Sequence, residues 1–173
     1  EPLEAGSVRS RLRLRAQLGA STITQVVTLA AGSRRLDFRT TVSWHEQHRM
    51  LRVAFPAQVA TERVACEIQF GHLFRATHEN TSWDMAKFEV PAHRFVDVSA
   101  ADGGLALLND SKYGHALHRN VLDLCLLRSP TSPDPDADQG EHTFTYSLLP
   151  HPGDLISGGV RDEAYRLNQP PVR

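Results

Sequence analysis

Two cysteines in 173 residues are too few to hold a disulfide-built scaffold. Cys66 and Cys125 each sit inside an apolar run and read as small buried hydrophobes. No apolar run reaches the roughly 20 residues of a membrane-spanning helix, so no membrane partner is expected. The first residues, EPLEAGSVRS, lack the basic stretch and apolar run of a signal peptide, and the missing Met suggests an excised segment. Charge of one sign is also missing. A formal net charge of -1 excludes a general electrostatic pull toward nucleic acid or anionic lipid. Aromatics make up 7% of the chain, with two tryptophans and three tyrosines, which leaves few platforms for sugar stacking: Trp44, Trp83 and Tyr113. No long segment shows a sustained 3.6-residue period, so helices are not expected to dominate.

What the chain does have is alternation. Val8, Ser10, Leu12, Leu14, Ala16 and Leu18 share one side of an extended segment, opposite Arg9, Arg11, Arg13, Arg15 and Gln17. Thr22 to Ala30 is β-branched, and Leu36, Phe38, Thr40, Val42 and Trp44 alternate with polar residues. Leu51, Val53 and Phe55 continue the pattern until Pro56. Further strands are expected at 64–70, 86–90, 93–98, 104–108, 121–127 and 142–149. Such spacing predicts an antiparallel all-β domain, and strands this long suit a large β-sandwich. Gly71 to Lys87, Asn109 to Asn120 and Ser129 to Glu141 read as irregular regions. The last part, from Gly153, reads as a final excursion, giving a domain over 1–169 and the start of a linker at 170–173.

Several polar groups invite a chemical reading. His45-Glu46-Gln47-His48 has its histidines three apart, whereas a zinc-protease helix needs them four apart, so an exposed turn is expected. Asp134, Asp136 and Asp138 resemble a calcium loop, but the glycine comes one position late and no bidentate glutamate follows at the required distance. The arginine row from 9 to 15 lacks interleaved aromatics for base stacking. No GxSxG elbow and no recognisable acid–base pair of carboxylates occurs, and no metal set is evident within the chain.

The run Asn109-Asp110-Ser111-Lys112-Tyr113-Gly114 follows a short apolar strand. It could set amide, carboxylate, ammonium and phenol groups against sugar hydroxyls, or form a structural turn closed by Asn and Asp on their own backbone. Arg128 ends an apolar run and should emerge from a strand end, where a guanidinium can bind a ligand or a neighbouring domain's carboxylate.

The phrases IQFG (68–71), THENTSWD (77–84), KFEV (87–90), AHRFVD (92–97), ALLNDSKYG (106–114), LLRSP (126–130), ADQG (137–140) and FTYSLLPH (144–151) occur in one order. Together with GSRRLDFRTTVSWHEQHRMLRVAFP (32–56), they resemble the β-rich C-terminal portion of bacterial-type glycoside hydrolase family 38 α-mannosidases. The resemblance extends from about Arg11 onward. Met85 and Ser111 depart from the usual phrases, at positions that look like packing.

That resemblance implies a large sandwich of the supersandwich, galactose-mutarotase-like kind, as a fragment of a multidomain retaining enzyme of the cytoplasm that removes terminal α-mannosyl residues. It implies that the nucleophile and the mannose-binding zinc lie in a separate N-terminal catalytic domain, with no cofactor and no catalytic residue in this chain. The isolated chain should then be inactive. Its partners would be that catalytic domain and an α-mannoside or oligosaccharide, with homo-oligomer formation left open. Arg128 is the first candidate for the substrate rim, followed by Asp110 and Tyr113, with Asn109 and Lys112 beside them. The alternatives are a free-standing carbohydrate-binding module and a purely structural or oligomerisation domain.

Overall fold

The computed structural model describes residues 1–169; the linker expected at 170–173 lies outside the described residues. Strands β1 (Pro2–Ala5), β2 (Arg9–Leu18), β3 (Ser21–Ala30), β4 (Leu36–Trp44) and β5 (Leu51–Pro56) come first. Then come β6 (Arg63–Ile68), β7 (Gly71–Ala76), a single helical turn α1 (Ser82–Met85), β8 (Val90–Pro91), β9 (Phe95–Ala100) and β10 (Gly103–Asn109). The chain closes with β11 (Gly114–Ala116), β12 (Val121–Leu127), β13 (Gly140–His151) and helix α2 (Val160–Asn168).

They form a nine-stranded sheet, ordered β1-β2-β3-β4-β13-β10-β9-β6-β7, and a four-stranded sheet, ordered β5-β12-β11-β8. Every pairing is antiparallel. Strand alternation decides the layering. On the inner face of the large sheet, Val42, Trp44, Phe144, Leu107, Val96, Val98 and Val64 pack against Leu122, Leu124 and Leu126 of the small sheet. On the outer face, Ala65, Phe95, Ala106, Leu108 and Leu149 pack under Val160 and Ala164 of α2.

The sandwich expectation holds, and five local expectations do not, the first being that Asn109 to Asn120 is irregular, since it contains β11. Residues 160–168 are helical, because Val160, Ala164 and Leu167 recur at i, i+4 and i+7 and face the sheet. Residues 86–89 are not a strand: Thr81 caps α1 by accepting the Asp84 N–H at 3.1 Å, and extended pairing resumes only at Val90. Gly71–Ala76, expected to be irregular, forms edge strand β7 in a hairpin with β6. Finally, the His45–His48 turn is not wholly exposed. Glu46 is buried, accepting the Ala20 N–H at 2.7 Å and the Ser21 hydroxyl at 3.2 Å.

Candidate functional site

The Asn109–Tyr113 turn is built before it can be used. Asn109 ends β10 buried, and its side-chain oxygen accepts the backbone N–H of Ser111 at 3.1 Å and of Lys112 at 2.6 Å. Its Nδ2 donates to the His93 carbonyl at 2.9 Å. Asp110 accepts the Thr145 N–H at 2.8 Å and the Ser111 hydroxyl at 2.9 Å. Helix α2 braces the turn from outside, since Asn168 Nδ2 donates to the Asn109 carbonyl at 3.1 Å. Asn109 and Asp110 therefore spend hydrogen-bonding capacity on shape. Lys112 lays its ammonium 4.6 Å from the Phe144 ring centroid, and burial lowers its pKa against the pull of Asp138 and Asp110.

Tyr113 is the residue this scaffold presents. It is 62% exposed, and the His93 ring meets it edge-on with centroids 5.6 Å apart. Gly114 follows and begins β11, the strand that brings the turn to the small sheet. A Cβ at Gly114 would stand 3.3 Å from Arg128 Nη2, so the tyrosine's chain neighbour touches the guanidinium.

Arg128 lies just past the end of β12, as its place in the sequence predicts. Its backbone N–H donates to Asp138 Oδ2 at 2.8 Å, while its side chain bonds Glu89 and remains 55% exposed. Glu89 also bonds Arg52, whose Nε donates to Asp123 Oδ1 at 2.8 Å. The outer face of the small sheet thus carries a row of alternating charge, Asp123–Arg52–Glu89–Arg128. Burial raises the Asp123 pKa more than Arg52 lowers it. Arg128 ends this row with guanidinium donors facing solvent, so it can serve a hydroxyl-rich ligand or a carboxylate.

The geometry gathers Asn109, Asp110, Lys112 and Tyr113 in one turn beside His93, and it sets Gly114, the next residue, against the Arg128 guanidinium, which belongs to a separate charge row. Sequence reasoning missed Glu89, which joins the two arginines across strands; no local pattern marks a contact between residues 37 and 39 positions apart. Trp44 is buried in the core, with its indole N–H on Ser129 Oγ, so it is withdrawn as a sugar platform. Trp83 stays exposed on α1.

Cavities elsewhere carry less chemistry. One of about 480 Å³ lies against the outer face of the large sheet beside Arg63, His72, Phe74, Asp97 and Ser99. Its acids are already engaged: Asp97 by His151 at 2.7 Å and Ser99 at 2.8 Å, and Asp154 by Ser157 at 2.7 Å. Among the described residues, no group of three or more His, Cys, Asp or Glu side chains is gathered as a metal ion would need. No helix of the described residues is long and apolar enough to cross a membrane.

Comparison with known proteins places this geometry in context. The model of the "Glycosyl hydrolases family 38 C-terminal domain" matches residues 1–136. "Alpha-mannosidase 2C1" of Mus musculus is 52% identical over 150 residues, covering 87% of this chain and 14% of the relative. "Alpha-mannosidase G" of Dictyostelium discoideum is 48% identical over 150 residues, with the same coverage of 87% and 14%. The chain therefore spans about one-seventh of the curated relatives it matches. Among solved structures, an α-mannosidase from Enterococcus faecalis V583 shares the fold with a TM-score of 0.83 at 18% identity, over 95% of this chain and 23% of that one. A putative aldose 1-epimerase from Klebsiella pneumoniae shares it at a TM-score of 0.50 and 9% identity, over 98% of this chain and 58% of that one.

Proposed function

The chain belongs to the family 38 glycosyl hydrolase C-terminal domains, and from that premise we propose that residues 1–169 are a noncatalytic β domain of a retaining α-mannosidase of the cytoplasm. In this reading the domain packs on a separate catalytic domain, where a carboxylate nucleophile and zinc act on terminal α-mannosyl residues. The contribution of this chain is shape and a polar rim. The observation that supports the reading is a braced turn that holds Tyr113 exposed and sets Gly114 against the Arg128 guanidinium, at the end of a charge row of carboxylates and guanidinium groups. The buried Asn109 turn fixes the backbone leading into Tyr113, His93 meets its ring edge-on, and Glu89 holds the guanidinium, so less must be ordered when a sugar or a catalytic-domain carboxylate arrives.

The test is Arg128→Ala in the full-length enzyme, with an aryl α-mannoside as substrate. We expect kcat/KM to fall at least about tenfold, about 1.4 kcal/mol, while the melting temperature holds. Arg128→Lys should recover only part of that loss, because an ammonium lacks the planar fork. Unchanged kcat/KM in both variants would reject the rim role and leave a structural domain. Turnover by the 173-residue chain alone would reject the noncatalytic assignment.

A further inference from the structure

The two sheets do not match in width: nine strands face four. Their overlap is fixed by side-chain contacts. Phe55 of β5 packs against Phe38 of β4 at 5.8 Å and Tyr146 of β13 at 6.1 Å, between ring centroids. At the other end, Val90 of β8 and Leu117 share a small cavity with Leu73 of β7. The small sheet therefore lies over β4 to β7 and stops at β5, leaving the inner face of β1 and β2 beyond its edge and that of β3 only partly covered, with Ile23 still on the core.

That uncovered face is apolar. Register places Leu12 opposite Val27 and Ala16 opposite Ile23, and Ile23 opposite the core residue Val42. Leu12, Leu14, Ala16 and Leu18 are thus on the core-facing side of the sheet. Yet Leu12, Leu14, Leu18 and Leu29 are exposed, whereas Arg11 and Arg13 on the opposite side of β2 are half-buried. Three leucines left exposed on the core-facing side of one strand make an apolar surface that the small sheet does not cover. Beside this stripe, β5 ends the small sheet with no strand on its other edge among the described residues. An unpaired edge next to an uncovered apolar face calls for one kind of occupant.

We propose that further strands from the same polypeptide pair with the free edge of β5 and extend the small sheet across the leucine stripe of β2 and β3. The incoming strands would alternate apolar and polar residues, with the apolar side on Leu12, Leu14 and Leu29. Chain to supply them exists in the relatives, where the matched segment is 14% of the length. The epimerase-like fold points the same way, since this chain accounts for only 58% of it. The inference rests on the reading of the chain as part of a larger enzyme, and it identifies which surface the remainder covers.

Hydrogen exchange on the full-length enzyme tests it. Amides of β5 that do not bond β12, and those of the Leu51–Pro56 segment generally, should exchange at least 100-fold more slowly than an unstructured chain, and Leu14→Lys should restore at least tenfold of that rate. Exchange at the unstructured rate on the free edge would overturn the proposal. Protection that disappears on dilution to the monomer would assign the surface to a second copy and overturn it equally. α-Mannosidase activity is measured on the same sample: protection without activity would retain this inference while removing the mannosidase reading.

Discussion

Leu107 and Leu14 lie on the same face of the same sheet, and their surroundings are opposite. Leu107 in β10 has the small sheet on one side of its strand and α2 on the other, and no water reaches it. Leu14 in β2 is 45% exposed. Alternation wrote both leucines in the same way, so burial was decided by what the second layer reaches. The covered half is also where buried polar groups sit: His151 and Asp97 on the outer face, and His115 on the small sheet's inner face. The uncovered half has none of comparable depth beyond Ser21, which Glu46 satisfies. Desolvation is thus concentrated in one half of the large sheet, and the stability of the chain should be read there.

The largest expected effect comes from breaking the buried pair in the covered half. His151 Nε2 and Asp97 Oδ1 are 2.7 Å apart with both side chains fully buried. The helix-side loop closes tightly on the ring, since a Cβ at Gly158 would clash with His151 Nδ1. Burial works to lower the histidine pKa, and the Asp97 bond and charge outweigh it, so the net shift is upward. Asp97→Ala leaves that imidazole without its partner and should cost about 3–5 kcal/mol in chemical denaturation of the chain. A loss below about 1 kcal/mol would mean that this half is not packed as described.

The next effect is a pH dependence. His115 is buried with neither ring nitrogen hydrogen-bonded among the described residues, and burial, aided by the Arg52 charge, lowers its pKa from 6.5 to about 4. The folded state keeps this ring neutral while the unfolded chain protonates it below pH 6.5. Stability should therefore fall as pH drops from about 6.5 to about 4, by about 3 kcal/mol in total. His151 has the opposite sign. Its raised folded pKa gives a contribution that is complete below pH 6.5 and lost as pH rises through the folded value. His115→Leu should flatten the acid limb and leave the alkaline one, measured by urea midpoints across pH 4–8. An unchanged acid limb would place its cause in other groups.

How much of this was legible in the sequence follows the range of the interaction involved. Alternation over 8–18 and 36–44 depends on neighbours two residues apart, and it gave β2 and β4 and the side of each that is apolar. The emergence of Arg128 at a strand end was equally local. Helix α2 went unread: Val160, Ala164 and Leu167 have helical spacing after Gly158-Gly159, but nine residues make a short signal beside a long β pattern. The Asn109 turn was open between site and scaffold, and only hydrogen bonds from distant residues, such as Asn168 and Thr145, reveal how fully Asn109 and Asp110 are engaged. The Glu89 bridge and the width mismatch of the sheets are products of topology. No residue announces either one alone.

The smallest expected effect is the one that bears most on the comparison. Leu14→Gln in the 173-residue chain replaces a solvent-facing leucine by a polar side chain of similar length, with no neighbouring sheet to leave behind a cavity. Its cost should stay within about 0.5 kcal/mol, against about 2–5 kcal/mol for Leu107→Ala in the covered half. In the full-length enzyme the same Leu14 substitution should become costly, because an amide would then be buried against the incoming strands without a partner. The pair of measurements separates a stripe that is apolar by composition from one that is apolar because another layer belongs on it. Equal and small costs in both contexts would make the stripe a plain solvent face. A cost near that of Leu107→Ala in the short chain would mean that β2 is already packed, and would erase the contrast between the two halves.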